Sequence, residues 1–493
     1  MLRLPSLDQR RPSAAYTDTS DTRLGAAVEA PVGAHPGQSG IYPLVDGRDA
    51  FAARVWIIDA AVRSIDLQYY IWHLDLSGRL LLEALLRAAD RGVRVRLLLD
   101  DNNTVGMDPI LATLTQHPQI EVRLFNPFVF RSWRAFGYLT DFSRLNRRMH
   151  NKSLTADNQV TIIGGRNIGD EYFGSSEEFH FVDLDVLAVG PVVRDVSTDF
   201  DRYWACDSSY PAERILPPVA NVAALQWRER LIATPTLPNA ARFVKALAQQ
   251  TFVRDLLARE LAFEWTEVRM VSDDPAKGLG RAAKGALLPD RLRTALGTPQ
   301  KEFQLISPYF VPTATGVRFL KNLARSGVTI TVVTNSLEAT DVAAVHSGYA
   351  KWRHTLLKAG IRLYEVKRAF SGPTVRDRGL VGNSGSSLHA KTFSVDGIRS
   401  FVGSFNFDPR SARLNTEMGF VIESTALAQG IASYLEKGLR DQAYSVRRAK
   451  LGRLQWVETV GDEIRIHKKE PNAKLWRRAV VTLTSLLPIE WLL

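Results

Sequence analysis

A single cysteine, Cys206, stands in 493 residues. That excludes an intramolecular disulfide and a cysteine-ligated zinc site. Such scarcity leans toward a reducing compartment, the cytoplasm. Long apolar runs are also missing: no stretch reaches the roughly 20 apolar residues of a spanning helix. The opening MLRLPSLDQRRPSAAY lacks the apolar core of a signal peptide, because Asp8 and two prolines interrupt it. Negative charge is the sign in deficit. Lys and Arg number 63 against 52 Asp and Glu, a net charge of +11. A balance of that sign fits an anionic partner: a phospholipid surface, a nucleic acid or another polyphosphate.

Residues 1–45 are rich in Pro, Gly, Ala, Ser and Thr and are expected to be mostly irregular. Then an α/β rhythm begins. SIDLQYYI (64–71), VRVRLLLD (93–100) and IEVRLF (120–125) read as strands, as does FVDLDVLAVG (181–190). A helix is expected over 77–92, with Ser77 as N-cap and Gly92 at its end. KSLTAD and QVTIIG read as two short paired strands around Asn158, and Pro191 opens another helix. The rhythm then recurs. EFQLISPYFV (302–311) resembles SIDLQYYI, VTITVVTN (328–335) resembles VRVRLLLD, and LHAKTFSVDG (388–397) resembles MHNKSLTADN. Tyr70 lies 80 residues before His150, and Tyr309 lies 80 before His389. This internal duplication implies two similar α/β domains, each a mixed sheet flanked by helices, over 46–240 and 241–440. A C-terminal extension, 441–493, follows.

Within the repeat sits a pattern with chemical content. His150, Lys152 and Asp157 form H-x-K-x4-D, and His389, Lys391 and Asp396 repeat it. Gly164 and Asn167 follow the first histidine by 14 and 17 residues; Gly403 and Asn406 follow the second at the same spacing. On a strand, residues two apart share a face, so each histidine projects beside its lysine. Two such faces brought together would set two imidazoles and two ammonium groups around one phosphate. The lysines would hold the non-bridging oxygens, one imidazole would attack phosphorus, and the other would serve as acid and then base. Asp157 and Asp396, at odd offsets, are expected to point away and anchor structure. The seven remaining histidines carry no motif.

GGRN (164–167) and GSFN (403–406), each behind H-x-K-x4-D, resemble the HKD signature of the phospholipase D superfamily. RMHNKSLTADNQVTIIGGRNIGDEYF, DLDVLAVGP and the ending SLLPIEWLL are similar to bacterial cardiolipin synthases of the C type. The resemblance, over roughly residues 40–493, implies two HKD domains about a pseudo-two-fold axis with one composite site. It also implies phosphatidyl transfer through a phosphohistidine, with no metal or other cofactor. Phosphatidylglycerol is the expected lipid substrate, with phosphatidylethanolamine as a second candidate. The setting it implies is the cytoplasmic face of the bacterial inner membrane, with no obligate oligomer and no nucleic acid. Hydrolysis by a phospholipase D, or a nuclease of the superfamily, are the rival activities. His150 is taken as the nucleophile. A nucleophilic imidazole needs an acceptor at its other nitrogen. Glu417 resembles the family's carboxylate behind His389. Asp183 is the matching candidate for His150, with Glu171 and Glu178 as alternatives.

Three segments point to lipid. Residues 125–152 mix Phe125, Phe128, Phe130, Trp133 and Phe136 with Arg131, Arg134, Arg144, Arg147 and Arg148, a composition suited to a headgroup interface or to a packed lid. Near the C-terminus, Trp476, Val480, Leu483 and Leu487 share one helical face flanked by Lys474, Arg477 and Arg478. That helix is read either as membrane-docking or as packed on its domain. Residues 367–391, Gly/Ser-rich and basic, read as a loop over the second motif.

Overall fold

In the computed structural model, residues 4–8, 10–175, 182–258, 260–340, 342–368, 388–485, 487 and 490 are described. The expected loop over 367–391 lies almost wholly outside them. The chain forms two compact units. The first gathers Met1–Ser176, Leu184–Leu288 and Leu414–Gly419; the second gathers Glu177–Asp183, Pro289–Arg413 and Phe420–Leu493.

Alternating and fully apolar runs give the first unit β1 (Ser39–Leu44), β2 (Ser64–Ile71), β3 (Arg94–Asn103), β4 (Ile120–Phe125), β5 (Ser153–Ala156), β6 (Val160–Gly164), β7 (Asp185–Val189), β8 (Ser209–Pro211) and β9 (Glu264–Thr266). They form one sheet in the order β8-β4-β3-β2-β5-β6-β7-β1-β9. β2, β3 and β4 are parallel neighbours, joined by helices as parallel crossovers require. β2, β5, β6 and β7 are antiparallel. After β10 (Val268–Ser272), the second unit carries β11 (Glu302–Ile306), β12 (Thr329–Asn335), β13 (Arg362–Val366), β14 (Thr392–Val395), β15 (Arg399–Gly403), β16 (Met418–Glu423), β17 (Ala443–Arg448), β18 (Leu454–Val460) and β19 (Glu463–His467). Here the order is β16-β15-β14-β11-β12-β13-β17-β18-β19. Parallel β11, β12 and β13 stand beside antiparallel β11, β14 and β15, so the expected duplication is visible strand for strand.

Three expectations are corrected. Residues 1–45 are not mostly irregular: the described residues before Arg23 carry no helix or strand, but a helix runs over Arg23–Ala34, with the Thr22 hydroxyl accepting from Gly25 N at 3.0 Å, and β1 pairs with β7. Neither has strong local periodicity; β1 gains from pairing with β7 and β9, and the helix from burying Leu24 and Val28. The helix expected from Ser77 starts at Leu76. Its N-cap is Asp75, which accepts from Gly78 N at 3.0 Å, while Ser77 N donates instead to Asp170. The extension 441–493 is less separate than its sequence indicates, since β17, β18 and β19 continue the second sheet beyond β13.

The motif aspartates tie the two halves of this pattern together. Asp157, with φ of 50°, follows β5; its carboxylate accepts from Val62 N, Arg63 N and Ser64 N at 2.9, 2.7 and 2.9 Å. Asp396, with φ of 56°, does the same for Gln300 N, Lys301 N and Glu302 N. Each aspartate thereby fixes where the central strand, β2 or β11, enters the sheet. Gly164 has a packing reason too: a Cβ there would lie 2.0 Å from Asp185 Oδ1.

Asp157 is fully buried, whereas most of the amides around Asp396 are exposed. Asp157→Ala should therefore cost about 3 kcal/mol, since one buried and two partly buried donors lose their acceptor. Asp396→Ala, whose amides can turn to water, should cost clearly less. Thermal midpoints followed by circular dichroism check the ranking; equal losses would contradict it.

Candidate active site

His150 and Lys152 stand on the segment that leads into β5. Met149, just before, is buried among Leu98, Phe125, Phe200, Tyr203 and Trp204. That anchor sends the next side chain the opposite way. Arg148 is locked below by Asp100, with Nη2 to Oδ1 at 2.7 Å, and Met149 N donates to Asp100 Oδ2 at 2.7 Å. On the other side the segment Leu414–Gly419 runs alongside: His150 N donates to Thr416 O, and Thr416 N to Arg148 O, both at 2.9 Å. Next to Thr416 is Glu417, fully buried, whose Oε2 lies 2.8 Å from His150 Nδ1. A carboxylate at Nδ1 favours the tautomer that carries the lone pair on Nε2. The edge of Tyr70 packs on the imidazole at 4.9 Å between ring centres, and Lys152 Nζ stands 5.4 Å from the same Tyr70 ring.

The second unit repeats the construction with different parts. Asn335, at the end of β12 where β3 has Asp100, exchanges two hydrogen bonds with the Leu388 backbone. His389 N donates to Val182 O at 2.9 Å, and His389 Nδ1 lies 2.5 Å from Asp183 Oδ2. Lys391 Nζ is 3.1 Å from His389 Nε2. Both lysines turn back on their histidines: Lys152 Nζ donates to His150 O at 2.5 Å, and Lys391 Nζ to His389 O.

The orienting carboxylates are thus crossed relative to the sequence expectation. Glu417, which follows the second motif, serves His150; Asp183, which follows the first, serves His389. The cause is topological, since each unit takes in a short segment from the other half of the chain. Glu171 is not the partner of His150: it pairs with His73 at 3.2 Å. Glu178 lies outside the described residues. Asn167 accepts from Ile71 N and donates to the Tyr172 hydroxyl, bracing the end of β2. Asn406 is buried, and its Oδ1 has no hydrogen-bond partner among the described residues. Cys206 does not offer a nucleophile, because burial pushes its thiol up to about 12.

Sequence reasoning missed Asp273 and Lys277. Asp273 N donates to Glu417 O, and Glu417 N donates back to Asp273 Oδ2, both at 2.9 Å. The same Oδ2 accepts from Lys277 Nζ at 2.8 Å, and Oδ1 accepts from Leu288 N at 2.7 Å. This buried pair clamps the segment that carries Glu417. Burial pushes the Asp273 carboxyl up to about 6 despite Lys277. The only sequence hint is the i, i+4 spacing of the pair in DDPAK, which marks countless surface pairs as well.

The aromatic-basic segment is also rearranged. Phe125 and Phe128 are core. Arg131 pairs with Asp101 and Asp108, Arg144 with Asp141, and Arg148 with Asp100. Most of its positive charge is therefore consumed internally. The large side chains that face solvent are apolar: Trp133, Phe136, Leu139 and Phe142.

The family model described as "Cardiolipin synthase, PLD-like domain" matches residues 55–204 and 292–439. The chain is 52% identical over 475 residues to "Cardiolipin synthase C" of Escherichia coli (strain K12), covering 96% of this chain and 100% of that one. It is 27% identical to "Cardiolipin synthase" of Listeria monocytogenes serotype 4b (strain CLIP80459), over 80% of this chain and 68% of that one. Among solved structures, the phosphatidylserine synthase of Haemophilus influenzae Rd KW20 shares the fold, with a TM-score of 0.59 at 15% identity over 95% of this chain and 100% of that one.

Lys277→Met leaves Asp273 as an unpaired buried carboxylate and should cost about 3–5 kcal/mol. Asp273→Asn combined with Lys277→Met should cost less than the sum of the single changes. The folded Asp273 carboxyl titrates above its ordinary 3.8. Its contribution to stability therefore falls as pH rises from about 4 to about 6 and is level above. Across that window, wild type should lose stability relative to Asp273→Asn. Denaturation midpoints of all four proteins against pH test both statements; strict additivity or a flat difference would contradict them.

Proposed function

The chain belongs to the phospholipase D-like cardiolipin synthase family, and from that premise we propose that it transfers a phosphatidyl group between phospholipids to make cardiolipin. The observation that carries the chemistry is the pair of histidines, each with a buried carboxylate on Nδ1 and a lysine two residues on. Nε2 of one histidine attacks the phosphorus of the donor lipid. The bond from phosphorus to the headgroup oxygen breaks, and the other histidine gives that oxygen its proton. The same second histidine then takes the proton from the glycerol hydroxyl of a phosphatidylglycerol. That oxygen attacks phosphorus, the P–N bond breaks, and cardiolipin leaves with the first histidine restored. Lys152 and Lys391 offset the charge on the non-bridging oxygens throughout. His150 is the nucleophile in this reading.

Substrate access is by surface contact. No helix among the described residues is long and apolar enough to cross a membrane. The C-terminal helix Leu475–Ser485 buries Val481 against Leu337 and Ala473, and Arg477 donates to Leu337 O at 2.8 Å. It turns Leu475, Trp476 and Leu483 outward, at 80, 57 and 65% exposure. One face therefore packs while the other stays apolar and exposed. Trp133, Phe136, Leu139 and Phe142 supply a second such patch. Both suit insertion at the headgroup level of a bilayer on its cytoplasmic side.

His150→Ala and His389→Ala should each lower turnover about 100-fold or more with the fold intact, since each removes a nucleophile or a general acid–base. Product analysis with defined phospholipids measures this. A variant keeping more than about a tenth of the rate would break the two-histidine scheme, phosphatidic acid as the sole product would replace transfer by hydrolysis, and inactivation by chelators with rescue by one metal would refute the metal-free scheme.

Trp476→Ser with Leu483→Ser should weaken co-sedimentation with anionic vesicles several-fold. It should lower turnover on bilayers far more than on a short-chain soluble lipid. Unchanged vesicle binding would remove this helix from the membrane contact.

A further inference from the structure

Within the second unit, a cavity of about 470 Å3 opens beside the C-terminal helix. Its floor is apolar and buried: Leu337, Trp456 and Val481. Its rim is cationic: Arg453, Lys468, Lys469 and Arg478. One acid, Glu470, also lines it, and Glu470 is already committed elsewhere. Arg353 Nη1 donates to its Oε1 at 2.5 Å, and His346 Nε2 lies 3.8 Å from the same oxygen. Burial opposes its ionisation, yet Arg353 and His346 bring it down to about 2. Arg453, Lys468 and Lys469 have no ion-pair partner among the described residues. Arg478 gives Nη2 to Glu470 O at 2.6 Å, while its Nε is buried without a hydrogen-bond partner among the described residues. Four cations therefore surround an apolar floor, with no uncommitted carboxylate among the described lining residues.

We propose that this cavity binds the headgroup of an anionic phospholipid, as a site separate from the transfer chemistry. None of the motif residues lines it. The phosphodiester would meet Arg453, Lys468, Lys469 and Arg478, and the glycerol end of the lipid would rest on Trp456, Leu337 and Val481. The volume falls in the range of small-molecule sites and far exceeds a bare phosphate ion. An apolar floor also gives such an ion nothing to bind. The wall of the cavity is the helix whose other side exposes Leu475, Trp476 and Leu483, so a lipid held here and a bilayer touched there would share one element. Clusters of basic side chains beside an amphipathic helix are a recurring way of holding anionic lipid.

The test uses the full chain and dihexanoyl phosphatidylglycerol below its micelle concentration, titrated calorimetrically so that binding sites are counted. Inorganic phosphate is the parallel ligand. Two variants address the cavity: Arg453→Ala, Lys468→Ala and Lys469→Ala together, and Thr482→Trp, which fills it from an exposed lining position and leaves its charge intact. A third protein removes equal charge from the helix Thr313–Arg325, through Arg318→Ala, Lys321→Ala and Arg325→Ala. Both cavity variants should lose one class of site, or bind it at least tenfold more weakly, while turnover of the short-chain lipid changes less than twofold. The charge-matched control should bind as wild type does. The proposal is overturned if either cavity variant keeps every site, if the control loses the same one, or if inorganic phosphate fills the site as tightly as the lipid. The count of sites is made with each protein also carrying His150→Ala, which suppresses turnover, so it stands or falls apart from the transfer reaction.

Discussion

The proposed transfer depends on a carboxylate held against Nδ1 of each motif histidine. An imidazole left to itself is a mixture of tautomers that rotates about two bonds. A buried acceptor at Nδ1 removes both freedoms and also stabilises positive charge on the ring. The acceptor must be rigid, and rigidity here comes from backbone pairing. Glu417 sits one residue beyond Thr416, which exchanges hydrogen bonds with Arg148 and His150. Asp183 sits one residue beyond Val182, which accepts from His389 N. In both units the acid arrives on a strip of chain hydrogen-bonded to the strip that bears the histidine.

This explains why the sheets are built as they are. The parallel trio and the antiparallel strands meet at β2 in one unit and β11 in the other. The motif strand is the first antiparallel neighbour of that central strand. Asp157 and Asp396 fix the far end of the junction through three backbone amides each. The histidine is at the near end, one short strand away. The motif's spacing is therefore the length of β5 or β14: histidine, lysine on the same face, four residues of strand, then an aspartate in a left-handed turn.

Much of this was legible in the sequence because it is local. The motif strands, β2, β4 and the helix opened by Pro191 follow from alternation, apolar runs and caps. The duplication followed from equal spacings. What stayed hidden is non-local. Nothing in NTEMGF says that Glu417 crosses to His150, and spacing along the chain pointed to His389 instead. The Asp273–Lys277 clamp joins residues about 140 positions from Glu417. The helix Arg23–Ala34 and β1 draw their stability from partners rather than from propensity. The basic character of 125–148 was read correctly as composition, yet it carries little free charge. Asp141 is three residues from Arg144, but Asp100, Asp101 and Asp108 lie 23 to 48 residues from the arginines they pair with, too far along the chain to reveal that they would absorb it.

The two halves repeat one plan with unequal parts, and the inequality bears on the division of labour. Around His150 the supports are buried ion pairs: Asp100 with Arg148 beneath the histidine, and Asp273 with Lys277 behind its carboxylate. Around His389 the same place in the sheet has Asn335, a neutral side chain, and Lys391 approaches both ring nitrogens. Breaking a buried ion pair is costly, so the first arrangement resists displacement more strongly than the second. In-line attack on phosphorus needs a fixed line from Nε2, because small angular errors lower the rate steeply. Proton transfer to a leaving oxygen and from an arriving one tolerates, and needs, a ring that can follow two different alcohols. In the proposed scheme, stiff support under His150 and lighter support under His389 thus fit His150 for bond formation to phosphorus and His389 for moving the proton.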